Sequence, residues 1–175
     1  MRISLIGLSG SGKTTLAEKI SHELDIPHIH LDKIWMEASG HTASSTQERQ
    51  RVQDHMRQKV SELIQQDAWV AEGWYGYVQP MITNRADQII FLDISLTRRL
   101  TNHIRRMFFK RNRHAQISFG DDLRFIYKLI KRTYVHGPLI RNYLAEHPAK
   151  VTRLRTHAEA DQYLATITGS SIKQN

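Results

Sequence analysis

The octapeptide Gly7-Leu8-Ser9-Gly10-Ser11-Gly12-Lys13-Thr14 constrains this chain more than any other stretch. It fits the pattern G-x-x-x-x-G-K-[ST], in which the backbone N–H groups of a glycine-rich loop cradle phosphate oxygens. Before it, Arg2-Ile3-Ser4-Leu5-Ile6 is a short apolar run that reads as a buried parallel strand. After it, Leu16, Ile20 and Leu24 fall on one face of a helix. The loop therefore joins a strand end to a helix N-terminus, where free N–H groups and the positive end of the helix dipole face the same space. Its glycines allow a phosphate to come closer than a Cβ would permit. The spacing places Lys13 at the β- and γ-phosphates of a nucleoside triphosphate, and the Thr14 hydroxyl on Mg²⁺. Thr15 is placed to reach the α-phosphate, and Gly7, Leu8, Ser9, Gly10, Ser11 and Gly12 line the cradle. ATP with Mg²⁺ is the expected ligand.

The rest of the chain alternates strand and helix signals. Residues 26–31 read as a second strand ending at Asp32, followed by an irregular polar stretch over residues 33–44. Ser45-Thr46-Gln47-Glu48 fits a capping box, and Val52, Met56, Val60, Leu63 and Ile64 continue a helical stripe. Residues 68–72 form a third strand, stopped by Gly73 and followed by Trp74-Tyr75-Gly76-Tyr77. A short helix over residues 80–84 leads to a fourth, near-continuously apolar strand at residues 88–94. Leu96, Leu100, Ile104, Met107 and Phe108 make the stripe of the next helix, and residues 110–120 read as an arginine-rich loop. Asp121 or Asp122 caps a further helix that breaks at Gly137-Pro138, with a short helix to Glu146. Residues 150–155 are a fifth strand, and Thr156-His157-Ala158-Glu159 a second capping box before the last helix. This alternation predicts one α/β domain over residues 1–168 with a parallel sheet, and a frayed tail over residues 169–175.

Charge is concentrated. The net charge is +8, yet residues 96–141 hold twelve Lys and Arg against Asp121 and Asp122, so that segment carries +10 and the rest of the chain −2. Zero cysteines exclude disulfides and thiolate metal sites. No apolar run reaches membrane-span length, and the N-terminal run is too short for a signal peptide, so a cytoplasmic location is expected.

Open parallel sheets gather ligands beyond the C-terminal ends of their strands. Asp32, Glu72 and Asp93 are expected on that rim. Glu72 ends an apolar strand and is placed to hold Mg²⁺; its alternative is pairing with a local cation. Asp32 is placed to take a proton from a substrate hydroxyl or orient it; its alternative is a turn aspartate. Phosphoryl transfer spreads charge over the γ-phosphate oxygens, and Arg106 and Arg113 are the expected catalytic cations of a closing lid over residues 105–122. Trp35, Trp74, Tyr75 and Tyr77 are placed to stack on a base or ring substrate, against the alternative that half of them are core. The ten histidines show no zinc spacing.

The pattern resembles the P-loop kinases of the adenylate kinase and shikimate kinase type. The likeness is carried by GLSGSGKTT, Asp32, VAEGWY, IIFLDIS and the arginine-rich segment, with VTRLRTHAEADQYL similar to their closing strand and helix. More closely, HLDKIW with WVAEGWY and FLDIS resembles adenylate kinase-like proteins described as DNA topology modulation (FlaR-related) proteins. The resemblance implies a P-loop NTPase three-layer sandwich with a five-stranded sheet of order 2-3-1-4-5. It also implies a substrate-binding region over residues 32–66 and a lid after strand four, with Arg106 packing on adenine and Arg113 on phosphates. Adenylate kinases carry Asp-Gly-Phe-Pro-Arg where this chain has Glu72-Gly73-Trp74-Tyr75-Gly76, and the triple glycine of shikimate kinases is absent. The acceptor therefore does not carry over.

The leading expectation is an ATP- and Mg²⁺-dependent phosphotransferase acting on a small molecule, as a monomer or dimer without a membrane partner. A nucleotide-regulated nucleic-acid-associated protein, supported by the +10 segment, and a plain ATPase are the alternatives.

Overall fold

The apolar runs at residues 2–7, 69–72 and 88–92 become the central strands here because each can bury both of its faces. The computed structural model of the protein describes residues 1–40, 45–111 and 119–169. In chain order the elements are β1 (Arg2–Gly7), α1 (Lys13–Leu24), β2 (His28–His30), α2 (Leu31–Ser39), α3 (Thr46–Leu63), β3 (Trp69–Glu72) and α4 (Gln79–Arg85). They continue with β4 (Gln88–Leu92), α5 (Leu96–Arg111), α6 (Phe119–Ala145), a 3₁₀ turn (Pro148–Lys150), β5 (Val151–Leu154) and α7 (His157–Thr168). The strands form one parallel five-stranded sheet of order β2-β3-β1-β4-β5, with the glycine loop on its central strand.

Strand alternation sorts the core into layers. Ile3, Leu5, Val70, Ile90 and Leu92 pack with Leu16, Ala17 and Ile20 of α1 and Ala160 of α7. Ile6, Ile89 and Phe91 face the other way, onto Ile140 and Leu144 of α6. Trp69 and Ala71, near the β2 edge, pack with Ile34 of α2, Met56 and Val60 of α3, and Ile82 of α4. This is the expected α/β three-layer P-loop sandwich.

Two element readings are corrected. Strand β2 covers only His28–His30, and the chain turns at once into α2, where an irregular stretch was expected from residue 33. Leu31 and Ile34 are buried with Trp35 packed beside them, so a helix is what lets this short segment cover the sheet edge. Asp32 consequently lies in the first turn of a helix, where the dipole favours a carboxylate. The second correction is α6, which runs through Gly137-Pro138 to Ala145, with Asp121 and Asp122 inside it. Proline removes one N–H and crowds the carbonyl four residues back, a cost of about 3 kcal/mol in an isolated helix. Tertiary contacts on both sides offset it: Thr133 is hydrogen-bonded to Arg99, and Ile140 and Leu144 are buried. Gly137 of this helix lies close to the phosphate loop: a Cβ there would stand 3.7 Å from Leu8 Cδ1, at ordinary contact distance.

The Ser45 capping box forms in full, with Glu48 N donating to Ser45 Oγ and Ser45 N to Glu48 Oε2. At Thr156 the hydroxyl accepts from Glu159 N, but the Glu159 carboxylate reaches back one residue further, to Arg155 N.

Candidate active site

The loop after β1 has the geometry that its glycines predict. Gly10 and Gly12 take φ of +80° and +90°, which side-chain-bearing residues avoid. Gly12 caps α1 without any side-chain hydrogen bond, so the first N–H groups of that helix are left for a ligand. Ser11 N donates to Leu8 O at 3.1 Å and closes the turn. Two cations approach Ser9: Arg99 Nη1 donates to its carbonyl and Arg132 Nη1 to its Oγ, each at 3.2 Å. His157 Nε2 lies 3.1 Å from Ser11 O.

Behind the loop sits Glu72, fully buried (0% exposed) at the end of β3. Thr14 Oγ1 donates to Glu72 Oε1 at 3.1 Å, and Lys13 Nζ is 3.8 Å from Oε2. His30 Nδ1 stands 3.1 Å from Oε1, without the alignment of a hydrogen bond. Glu72 Oε2 is a buried oxygen with no hydrogen-bond partner. Strand pairing of β1 with β3, Leu5 opposite Glu72, brings the carboxylate beside a loop that is 58 residues away in sequence. A hydroxyl and an unsatisfied carboxylate side by side are hard oxygen donors of the kind Mg²⁺ takes, so the residues present fit that ion.

Asp32 is exposed and accepts a 2.7 Å hydrogen bond from the Tyr75 hydroxyl. Burial and the neighbouring Asp32 carboxylate both raise the Tyr75 pKa, so this phenol stays a donor. Tyr77 is pushed up to about 12, chiefly by burial. A cavity of about 600 Å³ joins Gly7, Leu8, Ser9 and Lys13 to Asp32, Trp74, Tyr75 and Tyr77, and on its α6 side to Arg132, His136 and Tyr143. Trp74 meets Tyr143 edge-on at 5.3 Å, and Tyr75 meets Tyr77 at 5.9 Å. A second cavity, about 380 Å³, lies on the other side of the loop between Gly12, Thr15, Asn102, Arg105, His157 and Asp161.

The structure thus gathers Lys13, Asp32, Trp74 and Tyr75 about one cavity and Thr14 with Glu72 beside it. Trp35 does not line that cavity; it packs half-buried on the core between α2 and α3. Asp93 is taken up by an ion pair with Arg153. The Arg106 side chain and the whole of Arg113 lie outside the described residues. The expected α5 stripe is interrupted: Ile104 is 42% exposed while Arg99 is 1% exposed. Arg132, His136 and Tyr143 were not anticipated. Their spacing of four and seven residues along one helix was visible, but the break expected at Gly137-Pro138 separated them.

A glycine loop on the central strand of a sheet ordered 2-3-1-4-5 defines a three-layer α/β fold of the P-loop type. The chain belongs to a family described as an AAA domain, whose profile matches residues 3–115. Shikimate kinase from Acinetobacter baumannii, solved in complex with shikimate, superposes with a TM-score of 0.61 at 16% identity, over 98% of this chain and 95% of that one. Shikimate kinase from Bacteroides thetaiotaomicron gives 0.57 at 18% identity, over 97% of each chain. At these identities the likeness is one of fold. No curated protein sequence matches the chain. Among the described residues no helix is long and apolar enough to cross a membrane.

Proposed function

We propose that this protein transfers the γ-phosphoryl group of ATP to a hydroxyl of a small, ring-bearing acceptor. The observation that carries this reading is the 600 Å³ cavity, which opens on Lys13 and the glycine loop at one end and on Asp32 and three aromatic side chains at the other. The loop N–H groups and Lys13 bind the phosphates and favour the charge that builds on the transferring group. Thr14 and Glu72 are the residues that would hold Mg²⁺, which when bound neutralises phosphate charge. Asp32, held by Tyr75, accepts the proton of the acceptor hydroxyl as its oxygen bonds to phosphorus and the bond to the ADP oxygen breaks. A carboxylate has about four acceptor sites, so one tyrosine hydrogen bond leaves room for the acceptor. Trp74, Tyr75 and Tyr143 form walls for its ring.

Residues 105–122 would act as the lid, with Arg106 and Arg113 as its cations, and residues 32–66 as the acceptor-binding region, all within one domain over residues 1–168. The segments HLDKIW, WVAEGWY and FLDIS support a narrower kinship with the DNA topology modulation (FlaR-related) proteins. A second reading, association with nucleic acid, is favoured by one observation: Arg124, Tyr127, Lys131 and Tyr134 are exposed along α6 in the basic segment.

A thermal-shift screen separates these readings. An ATP analogue with Mg²⁺ is expected to raise Tm, and a ring-bearing alcohol to raise it further, because stabilisation grows with ligand occupancy. Phosphoryl transfer to no member of an acceptor panel, together with a gel shift that falls steeply with salt, would favour the second reading.

A further inference from the structure

Arg99 is the most deeply buried cation among the described residues, at 1% exposure, and no carboxylate lies within ion-pair distance of it there. Its guanidinium is held by neutral acceptors on three different segments. Nε donates to Ile94 O at 3.0 Å, Nη1 to Ser9 O at 3.2 Å, and Nη2 to Thr133 Oγ1 at 2.8 Å. Thr133 in turn donates to Leu129 O within α6. Burial lowers the Arg99 pKa, and the field of Asp93 works against that shift. Desolvating a guanidinium without an ionic partner is costly, so the position is unlike that of an arginine placed for solubility.

Planar trans peptides fix what the Ser9 contact means. The carbonyl of one residue and the N–H of the next point in opposite directions across the same peptide plane. Holding Ser9 O toward α5 therefore turns the Gly10 N–H the other way. The fit is close at that point, since a Cβ on Gly10 would lie 3.4 Å from Arg99 Cβ and 3.4 Å from Leu129 Cδ1 of α6. Helix α6, one residue before Thr133, presents Arg132 to Ser9 Oγ, and a turn later His136 to the acceptor cavity.

We propose that Arg99 is a positioning residue for the phosphate loop: it orients the Ser9–Gly10 peptide so that the Gly10 N–H faces bound phosphate, and through Thr133 it makes that orientation depend on α6. The proposal rests on ATP binding at this loop. It assigns to α6 a part in the donor site as well as in the acceptor cavity.

Equilibrium titration with a non-hydrolysable ATP analogue in Mg²⁺, and separately with inorganic tripolyphosphate, tests it on the purified protein. Arg99→Met is expected to raise both dissociation constants about tenfold, the size of a lost charge-assisted hydrogen bond. Arg99→Lys should weaken both as well, because one ammonium cannot span three acceptors; it serves if the methionine variant does not fold. Thr133→Val, which removes a hydroxyl bonded to Arg99 and Leu129 and not to the loop among the described hydrogen bonds, should raise both constants about threefold in the unaltered background and add nothing in the Arg99→Met background. A purely structural role would lower Tm and leave the affinities of the folded protein where they were. Affinities within twofold of the unaltered protein in the Arg99 variant that folds would overturn the proposal. Additive effects of Arg99→Met and Thr133→Val would overturn its link to α6. Absence of analogue binding by the unaltered protein would instead remove the proposed function itself.

Discussion

The donor and acceptor halves of the proposed site are built in different ways. The phosphate loop is local: eight consecutive residues, two left-handed glycines and the helix start at Lys13 make it almost by themselves. The acceptor half is assembled from far-apart pieces, with Asp32 on α2, Trp74 to Tyr77 after β3, and Arg132, His136 and Tyr143 on α6. A local site tolerates sequence change elsewhere; an assembled one depends on the packing of each contributing element.

The largest expected effect lies where the two halves meet. Lys13→Ala should lower kcat about a hundredfold or more in a coupled ADP-release assay, since Lys13 touches both the cavity and the carboxylate behind the loop. Comparable loss with either half intact would mean that the halves are not separate. Asp32→Asn should lower kcat by about two orders of magnitude and leave the affinity for an ATP analogue unchanged, as a proton acceptor on the acceptor side would. If analogue binding falls in parallel, Asp32 belongs to the donor half. Tyr75→Phe removes only the 2.7 Å hydrogen bond to Asp32 and should cost less, about fivefold in kcat.

Two further variants lie away from the phosphate loop and the cavity lining and set the scale. Ser45→Ala breaks the capping box of α3 and should lower stability by about 1 kcal/mol in urea unfolding. Asp87→Asn has the smallest expected effect, and a pH signature. The Arg2 side chain, and then its backbone N–H, hold the Asp87 carboxyl below the usual aspartate range. A depressed folded-state value contributes stability above the unfolded value, about pH 4, and loses it as pH falls through the folded one. The variant should therefore melt slightly lower than the unaltered protein at neutral pH, with the gap closing in acid.

Much of the fold was legible from one residue to the next. The apolar runs of β1, β3 and β4, the Ser45 and Thr156 caps and the glycine loop all rest on interactions within a few residues. Two misreadings share one cause. Residues 33–39, part of a stretch read as irregular and polar, belong to α2 because Leu31 and Ile34 had a sheet edge to cover. At Gly137-Pro138 a strong local stop signal gave way to the contacts of Thr133, Ile140 and Leu144. In both, tertiary burial outweighed a local preference of a few kcal/mol. The break expected there hid the cavity wall that His136 and Tyr143 form on one continuous helix.

By itself, then, the sequence determined the phosphate loop, the parallel alternating architecture and the carboxylates Asp32 and Glu72 as rim residues. Each follows from backbone geometry and short-range periodicity, which a linear text records. The tertiary structure alone decided that Glu72 sits against Thr14, that Tyr75 holds Asp32, and that Arg99 is buried under Ser9. Those contacts span 43 to 90 residues. No local propensity encodes them; strand order and helix packing bring them together.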